Sequence, residues 1–339
     1  MKKYRCSKRN VLYGFLSLIL TGCLFVKPFT CAGAQEEQAD PAKLTILYAA
    51  GLNAAMDQAF KEFKKIHPKT EIIGESSGTL LAIRKIAELN KQADLIFVAD
   101  ALSIKNMLMP KYADWYISFY KDRVVLAYTE KSKYANDMDS RNWYKILARP
   151  DVRFGYANPD LAPIGYRTLM AWQLADLFYK DKLNDKSIYE ALKEKCPKEY
   201  IMPDVAEMLH LLESLSLDYG FIYESTAKQH NLRYIRLPKE IDLGSEELAD
   251  FYKQASVEVA SKKTGKTETV KGSPVTFAFT ILKDSLNYQK ALEFAEFFLG
   301  PQGQKILSAN DQTMLVPCIP YGEEKIPDIL WQFILTSKK

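Results

Sequence analysis

Histidine and cysteine are scarce in this chain: 339 residues hold three histidines and five cysteines. There is no Cys-x-x-Cys pair and no Cys/His cluster, so a zinc site of ordinary spacing is excluded, and so few cysteines over this length exclude a disulfide scaffold. His67, His210 and His230 are scattered. A histidine-based metal site or triad therefore has little material, and each of the three is read as structural. No internal repeat or low-complexity tract stands out. The composition is otherwise ordinary, with 47% hydrophobic and 26% charged residues, which excludes a largely disordered, collagen-like or coiled-coil chain. The length suggests two domains.

The N-terminus carries an apolar run of its own. Lys2, Lys3, Arg5, Lys8 and Arg9 precede Val11 to Phe25, a stretch short for a membrane span but matched to the h-region of a signal peptide. Residues 1–34 are expected to be an export leader, which puts the mature protein in the periplasm. Two exits are written there. Leu20-Thr21-Gly22-Cys23 resembles a bacterial lipobox, whose Cys23 would be lipidated, and Ala32-Gly33-Ala34 reads as an A-x-A cleavage site; the lipobox is preferred. The leader also accounts for the charge. The whole chain has 46 basic and 42 acidic residues, a net +4. Six of the basic residues and none of the acidic ones fall in residues 1–34, leaving 40 against 42 from Gln35 onward. A basic excess that would invite nucleic acid belongs to the leader, so no nucleic-acid partner is expected.

From Leu44 onward strand and helix patterns alternate. Leu44 to Ala50 reads as a strand, followed by Gly51 and an amphipathic stretch with Leu52, Met56, Ala59, Phe60 and Phe63 at helical spacing. Thr70 to Glu75 and Ala93 to Ala99 read as strands flanking a helix from Thr79 to Leu89. After a strand at Arg123 to Thr129 comes a second set: Arg153 to Ala157, a helix from Pro163 to about Tyr179, a helix from Val205 to about Ser214, and Tyr219 to Tyr223. Ser261 to Gly272 is expected to be a solvated loop, Pro274 to Leu282 a strand, and Tyr288 to Leu299 and Pro301 to Ser308 two helices. Such alternation implies parallel sheets covered by helices.

The informative feature is how four helices begin. The first turn of any helix has unpaired N–H groups and a partial positive charge, a ready anion site. At Ala50-Gly51-Leu52-Asn53 the glycine admits a ligand to the backbone. Ser76-Ser77-Gly78-Thr79 supplies hydroxyls and an amide. Ala162-Pro163-Ile164-Gly165 has proline at the first helical position with the amides of Ile164 and Gly165 behind it, and Pro203-Asp204-Val205 has Asp204 as a candidate N-cap. Each taken alone is also an ordinary cap. All four follow sheet strands, where ligands of open α/β sheets bind.

Long segments carry a resemblance: Ala93-Asp94-Leu95 through Ala99-Asp100, Pro110-Lys111-Tyr112-Ala113-Asp114-Trp115-Tyr116, Leu126-Ala127-Tyr128-Thr129 with Ser132 to Ala135, Asn158-Pro159 through Pro163 with Gly165-Tyr166-Arg167, and Gln229-His230. On these the chain from Leu44 to about Trp331 resembles the molybdate/tungstate-binding proteins of ABC import systems, especially the tungstate-binding branch. The resemblance implies an α/β, two-lobed periplasmic-binding-protein fold of type II. Each lobe would be a mainly parallel sheet flanked by helices, with the ligand in the cleft: residues 42–126 with 283–339 as the first lobe and 127–282, hinge strands included, as the second. It implies a monomeric, non-enzymatic protein that binds an oxyanion without a cofactor and hands it to the membrane subunits of an ABC permease. The donors carried over are Gly51, Ser77, Gly78, Thr79, Ile164, Val205 and the phenol of Tyr223, with Asn53, Ser76, Gly165 and Arg167 as accessory residues. Arg167 is expected to make a structural salt bridge, and Asp94 and Asp100 to cap or position turns.

Three positions depart from the family. Gly51 stands where a serine is common, and Ala162 and Ile222 replace an Asp and a Glu that can bind the metal centre in the tungstate-binding branch. A carboxylate that did not bond the metal would repel the anion by about 4 kcal/mol at 4 Å and an effective dielectric near 20. Without both, a tetrahedral dianion held by hydrogen bonds alone is expected. Sulfate or another small oxyanion is the alternative ligand. An exported serine hydrolase using Ser76 or Ser77 is the alternative of another class, although no histidine has an obvious partner. Cys196 and Cys318 would need proximity to pair.

Overall fold

The computed structural model describes residues 43–182, 187–260 and 267–334. The leader with Cys23, and residues 261–266 of the expected loop, lie outside these. In chain order the strands are β1 Lys43–Ala49, β2 Glu71–Ser77, β3 Leu95–Val98, β4 Tyr116–Lys121, β5 Val124–Tyr128, β6 Phe154–Ala157, β7 Ile201–Met202, β8 Tyr219–Tyr223, β9 Arg233–Arg236, β10 Ser256–Ala260, β11 Thr267–Lys271, β12 Thr276–Ile281 and β13 Met314–Tyr321. They form a six-stranded sheet ordered β13-β4-β12-β3-β1-β2, a five-stranded sheet ordered β7-β6-β8-β5-β9, and a β10-β11 ribbon. Each large sheet is the centre of one lobe. Among the described residues no helix is long and apolar enough to cross a membrane.

The helices form where the apolar spacing puts them. In Asn53–Ile66 the residues Ala55, Met56, Ala59 and Phe63 are buried on one face, while Lys64 and Lys65 in the last turn complement the helix dipole. Thr79–Leu89 buries Leu80, Ala82, Ile83 and Ile86 in the same way. The helix Pro163–Phe178 is apolar nearly all round, with Tyr166, Arg167, Leu169, Met170 and Trp172 buried, because it lies inside the second lobe. Strands β3 and β8 are buried along their whole length, as expected for strands covered on both faces.

The structure corrects the expectation in four places. The sheets are mixed rather than mainly parallel: β1 pairs in parallel with β2 and β3, but β12 runs antiparallel to β3 and β4, and β5 antiparallel to β8 and β9. The cause is chain crossing, since β12 returns from the second lobe into the middle of the first sheet. The lobe boundaries differ accordingly. Strand β5 already belongs to the second sheet and β12 to the first, so the crossings lie at residues 122–123 and 272–275. Part of the expected loop is β11, paired with β10 from Ser256↔Lys271 to Ala260↔Thr267; its side chains are mostly exposed on both faces and give no apolar alternation to read. Strand β13 carries Pro317 and Pro320, which hid it in the sequence; at the sheet edge a missing N–H costs no ladder bond. Cys196 and Cys318 are both free and buried, the first against the carbonyl of Phe154 in the second lobe and the second on β13 of the first.

Two buried carboxylates hold the crossings. Asp122 accepts from the phenol of Tyr120 at 2.6 Å and the hydroxyl of Ser225 at 2.6 Å, one from each lobe, and from the Arg123 amide at 2.8 Å. Asp242 accepts from the Gly244 amide at 2.8 Å and faces Arg123 at 3.4 Å, while its own carbonyl receives the Val124 amide at 2.8 Å. Burial, opposed by the Gly244 hydrogen bond and by Arg123, pushes the Asp242 carboxyl up to about 6. The unfolded chain ionises this group first, so it contributes stability at low pH that is lost as pH rises from about 4 to about 6. Replacing Asp242→Asn is expected to remove that loss. Urea titrations at pH 4 and pH 7 should show the variant gaining about 2–3 kcal/mol on wild type over this interval; a constant difference would refute the assignment.

Candidate functional site

The ends of β1 and β2 in the first lobe and of β6 and β8 in the second point toward one cavity of about 400 Å³. Its wall includes the starts of four helical segments: Ala50 and Gly51 with Asn53, Gly78 with Thr79, Pro163 with Ile164, and Asp204 with Val205. Cavities of about 470 and 670 Å³ elsewhere gather no such set. The four starts, separated by more than 150 residues of sequence, are neighbours because every preceding segment ends at the same edge of its sheet.

At the first start the short helical turn Ala50–Leu52 runs into Asn53–Ile66, and the Gly51 carbonyl is held by the side chain of Gln312 at 2.7 Å. At the second, Gly78 is extended and caps Thr79–Leu89. The Thr79 hydroxyl accepts the Ala99 amide at 2.9 Å, which ties the helix start to the end of β3 and leaves the hydroxyl proton to donate. At the third, Pro163 has no N–H and the Gly165 amide returns to the Ala162 carbonyl at 3.0 Å, so Ile164 presents the first free amide of the helix. At the fourth, Asp204 is the N-cap the sequence suggested, accepting the Glu207 amide at 3.2 Å. The amides of Val205 and Ala206 precede any intrahelical acceptor.

Tyr223 ends β8 and lies edge-on to Phe277 at 5.6 Å. Tyr223 lines the cavity, and its phenol oxygen is buried with no hydrogen-bond partner among the described residues. Burial raises its pKa above the usual phenol range, against the pull of the Arg167 charge. The group therefore stays protonated and offers a donor. An unpartnered buried hydroxyl costs about 1–3 kcal/mol, and a ligand acceptor in the cavity would remove that cost.

Of the residues expected at the site, the cavity gathers Gly51, Asn53, Gly78, Thr79, Ile164, Val205 and Tyr223. Ser77, Ser76, Gly165 and Arg167 are not on its wall. The Ser77 hydroxyl turns to the Gly78 carbonyl at 3.4 Å, and Ser76 donates to Asn53 Oδ1 at 2.6 Å on the exposed side. Gly165 packs so tightly that a Cβ would lie 2.3 Å from the Ala157 carbonyl. Arg167, 1% exposed, pairs with Asp100 at 3.0 Å and donates to the Ser273 carbonyl at 3.1 Å, while Tyr166 donates to the same carboxylate. Arg167 is thus the salt bridge the sequence favoured, and it ties the lobes together. The segment Gly74-Glu75-Ser76-Ser77-Gly78 has the spacing of a nucleophile elbow, but the bond from Ser76 to Asn53 leaves it no base.

Sequence reasoning missed the outer wall. His210, Glu213, Thr226, Gln229 and His230 line it, with His230 3.9 Å from Glu213 and Gln229 reaching the Asn310 carbonyl of the other lobe at 2.7 Å. Gln229-His230 stood out as a shared segment, but nothing in its spacing placed it at a cleft. No lysine or arginine is among the described residues of the wall. Ala162 lines the cavity, and Ile222 packs in the core beside Met208 and Leu209, so neither place holds a carboxylate.

The two lobes touch at Gly78, where a Cβ would stand 2.4 Å from the Leu161 carbonyl. At Gly51 a Cβ would meet only the Phe277 ring at 3.7 Å, an ordinary contact. Gly78→Ala is expected to hold the lobes apart and weaken ligand binding at least tenfold with an unchanged melting temperature. Gly51→Ser is expected to fit and to preserve or strengthen binding through its added hydroxyl. Calorimetry on both variants checks this, and equal effects of the two would refute it.

Residues 44–310 match the family of bacterial extracellular solute-binding proteins. The molybdate/tungstate-binding protein WtpA of Pyrococcus abyssi is 39% identical, with 90% of this chain and 92% of the relative covered. Among solved structures, the periplasmic molybdate-binding protein of Azotobacter vinelandii superposes with a TM-score of 0.56 at 18% identity, over 81% of this chain and 99% of that one. The sulfate-binding protein SubI of Mycobacterium tuberculosis gives 0.56 at 13% identity, over 86% and 90%. The two superpositions establish the two-lobed periplasmic-binding-protein fold. By its sequence and its fold, this chain belongs to the extracellular solute-binding proteins, exported non-enzymatic subunits that capture a small solute for an ABC transporter.

Proposed function

We propose that the cavity binds molybdate or tungstate as a tetrahedral dianion, held by the amides of Gly51, Gly78, Thr79, Ile164 and Val205 and the phenol of Tyr223, and that the lobes deliver it to an ABC permease. The observation that carries this reading is the convergence of four helix starts and an unpartnered phenol on one cavity. Donors without a cation suit an anion whose charge is spread over several oxygens. Charge-assisted hydrogen bonds contribute roughly 1.5–3 kcal/mol each, so about six supply a gross 9–18 kcal/mol against about 12 for nanomolar affinity. The ligand named for the Pyrococcus relative supports the same choice. Four oxygens of about water size need ~120 Å³ at ~30 Å³ per water, which the cavity of about 400 Å³ accommodates.

With Ala162 and Ile222 in place of carboxylates, the metal keeps its four oxo ligands. X-ray absorption of the tungstate complex is expected to show four-coordinate tungsten, and six ligands would refute it. The protein works as a monomer, without a cofactor, and Cys23 carries the lipid that anchors it beside the permease. Mass spectrometry of the mature protein checks the anchor, because a free Gln35 terminus excludes it.

A thermal-shift and calorimetric panel with molybdate, tungstate, sulfate and phosphate tests the ligand. At 100 times its dissociation constant a ligand stabilises by about 2.7 kcal/mol, and molybdate or tungstate is expected to do so at lower concentration than the others. Equal or tighter sulfate binding would replace the assignment with the sulfate reading. Tyr223→Phe removes one donor to a charged acceptor and is expected to weaken binding about 10- to 100-fold; unchanged affinity would take the phenol out of the site.

A further inference from the structure

Arg84 lies on the helix Thr79–Leu89 of the first lobe, beyond the cavity wall. Both terminal nitrogens of its guanidinium cross to the second lobe: Nη1 donates to the Asp160 carbonyl at 2.8 Å and Nη2 to the Ala260 carbonyl at 2.8 Å. The two acceptors are already joined, since the Ala260 amide donates to Asp160 Oδ1 at 2.7 Å. The turn that holds Asp160 is stiff. Asn158 accepts the Asp160 amide on its side chain at 2.9 Å and the amides of Leu161 and Ala162 on its carbonyl at 3.1 Å each. This turn leads directly into Pro163 and Ile164 on the cavity wall, and its Leu161 carbonyl is the group that abuts Gly78. The guanidinium therefore grips the segment that brings the second lobe's amides to the ligand.

We infer that Arg84 is a positioning residue for ligand retention, a latch whose two bonds form when the lobes meet and which slows release without touching the ligand. Its Nε is buried with no partner among the described residues, so the carbonyls of the second lobe are what satisfy this cation. Separation of the lobes breaks both bonds together. The Asp100–Arg167 pair also joins the lobes, but it sits beside Ser273 at a chain crossing, where a hinge rotation displaces groups least. Lysine cannot reproduce a two-carbonyl grip with a planar fork.

The inference rests on the oxyanion reading for its ligand, and two measurements separate them. In stopped-flow experiments with tungstate, Arg84→Ala is expected to release the ion at least tenfold faster with little change in association rate, since such changes fall mainly on dissociation. Arg84→Lys should fall between. Small-angle scattering of the unliganded proteins is expected to give Arg84→Ala a larger radius of gyration than wild type, at an unchanged melting temperature. Where tungstate binds, its release rate decides, and an unchanged rate overturns the latch. Where wild type binds neither tungstate nor molybdate the reading of the ligand fails, and the radius decides the latch, an unchanged radius overturning it.

Discussion

A helix cannot satisfy the N–H groups of its own first turn, and the arrangement of this protein follows from that constraint. The donors need a partner, and strands that end at a common sheet edge deliver four such turns to one place. The local tethers preserve this supply. Asp204 takes only the Glu207 amide, Thr79 spends its oxygen on Ala99, and Pro163 brings no N–H at all. The first amides of each helix remain without an intrahelical acceptor, and their residues line the cavity.

The consequence is a candidate site built on helix-start amides, with no lysine or arginine among its described wall residues, whose titratable side chains are Asp204, His210, Glu213, Tyr223 and His230. From Gln35 onward the chain is slightly acidic, so the proposed oxyanion would be attracted locally, by helix dipoles and one phenol. Much of the remaining wall is small and apolar, with Ala49, Ala50, Ala54, Ala99, Ala162 and Ala206. Such a lining would lower the competition of water for the same donors and so strengthen each bond to the proposed ion.

Two lobes are needed because the donors come from both sheets. The chain crosses between them at residues 122–123 and 272–275, and the carboxylates of Asp122 and Asp242 order those crossings from within the structure. Away from the crossings the lobes meet backbone to backbone at Gly78 and Leu161, with Arg84 and Gln229 reaching over to carbonyls. Neutral carbonyls are weaker partners than carboxylates, which suits contacts that have to break for the ligand to leave.

Much of this was legible from residue order. Apolar spacing placed the helices Thr79–Leu89, Pro163–Phe178 and Val205–Glu213 and the strand β8 within a residue or so, because helices and buried strands impose their periods on the side chains they bury. The cap at Asp204 and the amides behind Pro163 were legible for the same reason, since a helix start is a local event. Strand β13, with its prolines, and β11, mostly exposed on both faces, were not, because neither carries an alternating apolar face. Only the tertiary structure decided that Ser77 stays off the wall while Tyr223 lines it with an unpartnered phenol, that His210 and His230 line it too, and that Arg84 reaches across to the other lobe. These are relations between elements far apart in sequence, set by sheet order and chain crossing, to which no local spacing corresponds.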